Sequence, residues 1–71
     1  MKPQTIKAIS SIFQNFKVTP YPLENHLVVS GIKILGSSEI KNLLKLDDVV
    51  RFTIKNNTFD DDLIMLITVD N

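Results

Sequence analysis

Residues 48–69 constrain this chain more than any other stretch. They read Asp48-Val-Val-Arg-Phe-Thr-Ile-Lys-Asn-Asn-Thr-Phe-Asp-Asp-Asp-Leu-Ile-Met-Leu-Ile-Thr-Val69. Val50, Phe52 and Ile54 alternate with Val49, Arg51, Thr53 and Lys55, the period-two pattern of a half-buried strand. Leu63 to Val69 is apolar on both faces, interrupted only by Thr68. A polar turn separates the two runs, so the spacing predicts a hairpin. A strand apolar on both faces belongs in the middle of a sheet, covered on both sides or covered on one side with a partner on the other.

Upstream, the residues supply what such a hairpin needs. Pro3 suits a first helical turn, and Ile6, Ile9, Phe13 and Phe16 recur at helical spacing beside Ile12. The pattern predicts a helix over 3–16, ending before Pro20 because Thr19 is pushed out of the helical region. Residues 18–25 hold two of the three prolines and read as an extended connector, at best a short edge strand. Residues 26–35, His-Leu-Val-Val-Ser-Gly-Ile-Lys-Ile-Leu, read as a strand whose phase slips. Leu27 and Val29 share one face, and Ile32 and Ile34 rejoin the apolar set only after a one-residue shift at Ser30-Gly31. A bulge there restores the phase. A tight hairpin is the competing reading, disfavoured by its very short arms. Gly36-Ser37-Ser38-Glu39 starts a second helix, with either Ser as cap, Glu39 in the first turn, and Ile40, Leu43 and Leu44 as its apolar face.

The fold class expected is α+β: a small antiparallel sheet with two short helices packed on one face, in the order α-β-α-β-β. Residues 1–71 make a single domain. So short a chain builds a small core, and without Cys it has no disulfide or thiolate metal site. Oligomerisation is the remaining source of stability, so a homodimer is expected. No apolar run reaches the roughly 20 residues of a membrane span, and Lys2, Gln4 and Lys7 break up the N-terminus. The expectation is a cytoplasmic protein with no membrane contact.

Eight basic and eight acidic side chains give zero formal charge. That balance disfavours a dedicated nucleic-acid binder, which carries a basic excess. The single His26 lacks a neighbouring nucleophile, and no serine sits in a Gly-x-Ser-x-Gly context. Asp60-Asp61-Asp62 lacks the alternating ligands, Gly and terminal Glu of a calcium loop. Asp47-Asp48 are adjacent and point apart. Gly31 and Gly36 precede no Gly-Lys-Ser/Thr. Hence no catalytic residue, metal or cofactor is expected. Lys33, Lys41, Lys45, Arg51 and Lys55 form the main basic cluster outside the first helix. They meet phosphates or simply face water beside Glu39, Asp47 and Asp48.

In layout, residues 5–69 resemble the phage uracil-DNA glycosylase inhibitor family: an N-terminal helix, a strand like His26–Leu35, a short helix like Ser38–Leu44, and a hairpin with an acidic turn. The resemblance implies an inhibitor that presents one strand to an enzyme's DNA-binding groove. It also implies a pocket for an apolar enzyme side chain at Ile34, Ile40, Leu43, Leu44, Ile64 and Leu66. That family is strongly acidic where this chain is neutral. Residues 27–69 are also similar to the AbrB-type swapped-hairpin DNA-binding family, through Gly31-Ile-Lys-Ile-Leu, Glu39-Ile-Lys, Leu44, Leu46 and Asp48-Val-Val-Arg-Phe-Thr-Ile54. This second resemblance implies an obligate dimer reading DNA through Lys33, Lys41 and Arg51. The leading expectation is a non-enzymatic inhibitor or adaptor of the kind phages and mobile elements encode. It would grip a protein partner through Ser30, Gly31, Ile32, Lys33 and Ile34, at a strand edge or sheet face. The alternative is an AbrB-like DNA-binding regulator.

Overall fold

A computed structural model describes residues 2–59 and 61–70. Helix α1 spans Pro3–Ile12 and strand β1 Lys17–Tyr21. A single 3-10 turn, Pro22–Glu24, leads into β2, His26–Ile32. Helix α2 spans Ser37–Leu44, β3 Val49–Asn57 and β4 Asp62–Val69. The strands form one antiparallel sheet in the order β1-β2-β4-β3. Buried side chains of both helices join those of the central strands in one core, so the α+β class is as expected.

The element order differs from the expected one: it is α-β-β-α-β-β. The stretch 18–25, expected as a connector or at best a short edge strand, supplies all of β1 except Lys17, and β1 pairs with β2 from Lys17↔Ser30 to Tyr21↔His26. Pro20 lies within it, and its missing donor is tolerated because β1 is an edge strand with only one neighbour. Asn25 makes the corner into β2 with φ 56°, a left-handed conformation that Asn adopts more readily than most residues. The backbone N–H of Val69 donates to the Asn25 carbonyl at 2.9 Å, which fastens the end of β4 to this corner.

Helix α1 is shorter than its apolar spacing predicts. It closes at Ile12, where the Phe13 N–H still donates to the Ile9 carbonyl at 3.0 Å. The chain then turns, with the Phe16 N–H on the Phe13 carbonyl, so that Lys17 can enter the sheet. The burial that set the periodicity survives the break: Phe13 is fully buried, and Phe16 packs on the core with the two ring centroids 6.3 Å apart. In α2 neither serine caps. Gly36 holds the cap position with no side-chain bond, and the Ser38 hydroxyl donates to the Glu39 carboxylate at 3.2 Å.

The core contains Ile9 and Phe13 from the first helical segment, Leu43 from α2, Leu27, Val29 and Ile32 from β2, and Met65, Ile67 and Val69 from β4. Helical spacing and strand alternation agree on one contact layer. Thr5 is the buried polar residue of α1; its Oγ1 donates to Asp48 Oδ2 at 2.7 Å, which ties the helix to the loop before β3. The phase of β3 needs one correction. Val49 faces Val69 while Arg51 faces Thr68, so Val50 is an extra residue outside the ladder and 61% exposed. This bulge sends Val49, rather than Val50, to the core. From Arg51 onward the alternation holds, with Phe52 packed on the core.

Phe52→Ala is expected to cost about 2–4 kcal/mol, since the lost ring leaves a cavity under the sheet. Phe59→Ala, at a turn residue 95% exposed, should stay within about 0.5 kcal/mol. Urea melts of the two variants check both. Thr5→Val should cost about 1–2 kcal/mol, because it leaves the Asp48 carboxylate without its donor; the double variant with Asp48→Asn measures the coupling.

Candidate binding site: the helix-free sheet face

Strand pairing fixes which side chains stand on the side of the sheet away from the helices. Met65, Ile67 and Val69 are buried, so Ile64, Leu66 and Thr68 stand on the opposite face, each partly exposed. The register aligns the face in three rows. Tyr21, His26, Thr68 and Arg51 make one; Thr19, Val28, Leu66 and Thr53 the next. The third joins Lys17 and Ser30 on one side to Ile64 and Lys55 on the other, across the bulge in β2. Val28, Leu66 and Ile64 thus lie together at the centre, and none belongs to the core. Hydroxyl groups of Thr19, Ser30, Thr53 and Thr68 surround them.

The charges of this face are sorted. Lys17 on the β1 edge and Arg51 and Lys55 on the β3 edge are exposed cations. Among the described residues no carboxylate pairs with any of the three. The acid on the strands of this face is Asp62, at the hairpin end. His26 lies 3.6 Å from Glu24 through its Nδ1, and no serine or threonine hydroxyl bonds to it among the described residues. The arrangement offers apolar area, neutral hydroxyls and fixed positive charge.

The structure divides the sequence-predicted partner segment, Ser30 to Ile34. The ladder between β2 and β4 shifts between Val29 and Ile32, and Gly31 has φ +78°, so the bulge is formed and the chain does not turn back there. Ser30 stands on the helix-free face and Gly31 is exposed. Ile32 is fully buried in the core, and Ile34 is 82% exposed in the loop to α2. Strand β2 is internal, so the free sheet edges belong to β1 and β3. Lys33 lines a shallow cleft of about 450 Å³ with Asn56, Asn57, Thr58, Asp61, Asp62 and Leu63. In that cleft Asp62 Oδ1 is buried without a hydrogen-bond partner among the described residues.

The three cations named for DNA contact are not gathered. Arg51 is on the helix-free face, Lys41 is on α2, and Lys33 comes after the end of β2. The six positions named for an apolar pocket also divide, because Leu43 is core and Ile64 and Leu66 stand on the opposite side of the sheet. Of the acidic pairs, Asp48 is engaged with Thr5, and Asp60 lies outside the described residues. Among the described residues no three His, Cys, Asp or Glu side chains gather around a common point. Nor is any helix there long and apolar enough to cross a membrane.

No protein-family model, curated protein or solved structure matches the chain. Sequence reasoning missed Lys17 as a member of the face, because the stretch read as at best a short edge strand began one residue later, at Val18. The signal was present in Lys17-Val-Thr, where a β-branched pair comes directly after one charge.

Gly31→Ala should cost about 1 kcal/mol through its left-handed backbone alone, since an added Cβ would meet nothing within 4 Å. Gly31→Asn should recover part of that loss. Thermal melts of the pair separate backbone strain from crowding.

Proposed function

We propose that this chain is a non-enzymatic binding protein that docks on a protein partner through its helix-free sheet face. The inhibitor or adaptor role that mobile elements encode fits it best. One observation carries the reading: Val28, Ile64 and Leu66 lie side by side at the centre of that face while their strand neighbours fill the core. An antiparallel sheet needs only one covered face to fold, and polar residues normally line the other. Aliphatic side chains collected there serve contact with something else. The bulge at Ser30-Gly31 supports the same reading, because it bends β2 at the border of the patch and re-aims the residues beyond it. Ser30 then borders the contact, while Ile32 anchors the segment to the core.

A DNA-binding regulator is the second reading, supported by exposed Arg51 and Lys55 on one strand face. It draws less support, since the middle of the patch is aliphatic. A homodimer is a further occupant of the same face to be measured by sedimentation.

The deciding experiment uses immobilised full chain, purified binding partner and two folded variants. Leu66→Glu should abolish capture of the partner with only a small loss of thermal stability. Lys41→Glu, away from the face, should leave capture unchanged. If Leu66→Glu retains the partner while Arg51→Ala abolishes binding, and if that binding falls steeply as salt rises, the DNA reading replaces this one.

A further inference from the structure

We infer that the segment this face receives is amphipathic and acidic: an apolar stripe flanked on both sides by carboxylates. The inference rests on the protein-docking reading and adds the chemistry of the partner.

Charge and spacing both lead there. The apolar centre, Val28, Leu66 and Ile64, runs along the two middle strands. Cations stand on both outer strands, Lys17 on β1 and Arg51 and Lys55 on β3. Four strands span about 14 Å from first to last axis. An α-helix is about 10 Å across with its side chains. A helix laid along the middle strands therefore sets its apolar stripe on the aliphatic centre and its two flanks over the cationic rims. Lys17 and Lys55 lie in one row across the sheet, so both flanks meet a cation at the same height. Arg51 and Lys55 are about 13 Å apart along the strand, a distance a helix covers in about nine residues. Acids at that separation on one flank reach both.

The other occupants fit less well. Sheets that hold single-stranded nucleic acid stack bases on aromatic rings, and here the centre is aliphatic, with the Tyr21 and His26 rings confined to one end row. A second copy stacked face to face with its strands aligned would set cationic rim on cationic rim, and like charges across an interface oppose association. A basic segment would meet the same repulsion.

The test uses the full chain and defined probes, read by fluorescence anisotropy. Two synthetic amphipathic helical peptides share one leucine stripe; one has glutamate flanks and the other lysine flanks. A single-stranded oligothymidylate is the third probe. Wild type should bind the glutamate-flanked peptide at least about tenfold tighter than the lysine-flanked one. The variant Lys17→Glu/Arg51→Glu/Lys55→Glu should invert that preference, and Leu66→Ser should weaken the glutamate-flanked peptide about tenfold. Circular dichroism checks folding; if the triple variant is unfolded, Arg51→Gln/Lys55→Gln replaces it, with the preference shrinking instead of inverting.

Absence of binding, or a preference that ignores the charge variants, overturns the inference. If Leu66→Ser weakens both peptides with no charge preference, the docking face stands and its acidic partner falls. If Leu66→Ser changes nothing, both fall. Oligothymidylate bound as tightly as the glutamate-flanked peptide and unaffected by Leu66→Ser overturns it in favour of nucleic acid. A dimer in sedimentation that Leu66→Ser dissociates overturns it in favour of a second copy.

Discussion

Everything in this chain depends on one layer of contact, where Ile9, Phe13 and Leu43 meet the inward side chains of β2 and β4. The two middle strands are far apart in sequence and pair only after the chain has passed through α2. Their pairing is what makes Leu27, Val29, Met65 and Ile67 a continuous floor. The helices supply the matching ridge at spacing of four residues. Neither layer is stable by itself at this size, because a lone hairpin or a ten-residue helix is marginal in water. The fold forms because each buries the other's apolar side.

That dependence gives meaning to the second face. With no disulfide among its stabilising devices, the chain gains most from aliphatic residues placed where they are covered. Three of them stand instead on the side the helices leave open. Edge protection elsewhere obeys ordinary rules: β3 carries Arg51 and Lys55 and a bulge at Val50, and β1 is short and contains Pro20. Those devices discourage pairing through the edges.

Much of this was legible in the residues, and the losses have identifiable causes. The hairpin 48–69, the two-sided apolar β4 and the bulge at Gly31 are read from period-two alternation and from the one place where it slips. The helical face of Ile9 and Phe13 was legible too. The end of α1 was not, because Phe13 and Phe16 keep an apolar spacing that continues after the backbone has turned. Strand β1 was only half legible because of Pro20 within it and Pro22 just beyond it: the cost of a proline depends on whether a strand is an edge, and edge position is set by tertiary pairing. Val50 was misassigned because a bulge in β3 has no glycine to announce it. The candidate face was half legible: a two-sided strand signals an extra contact, but which cations border it depends on register with β1 and β3.

Register also explains why the basic residues had to be regrouped. In sequence, Lys33, Lys41 and Arg51 are neighbours in a charged stretch; in space α2 carries Lys41 away on the helical layer. Lys17, 34 positions before Arg51 by their residue numbers, shares a face with it instead. Zero net charge therefore says little about this molecule's surface. Glu39 sits at the α2 start, Asp48 bonds Thr5 and Asp62 stands at the hairpin end of the face, while Lys17, Arg51 and Lys55 have no carboxylate partner among the described residues. Segregation of that kind has no role in holding the helices to the sheet, since the charges stand on the other side of it. Its physical consequence falls on whatever approaches the open face, through attraction of one sign of charge and rejection of the other.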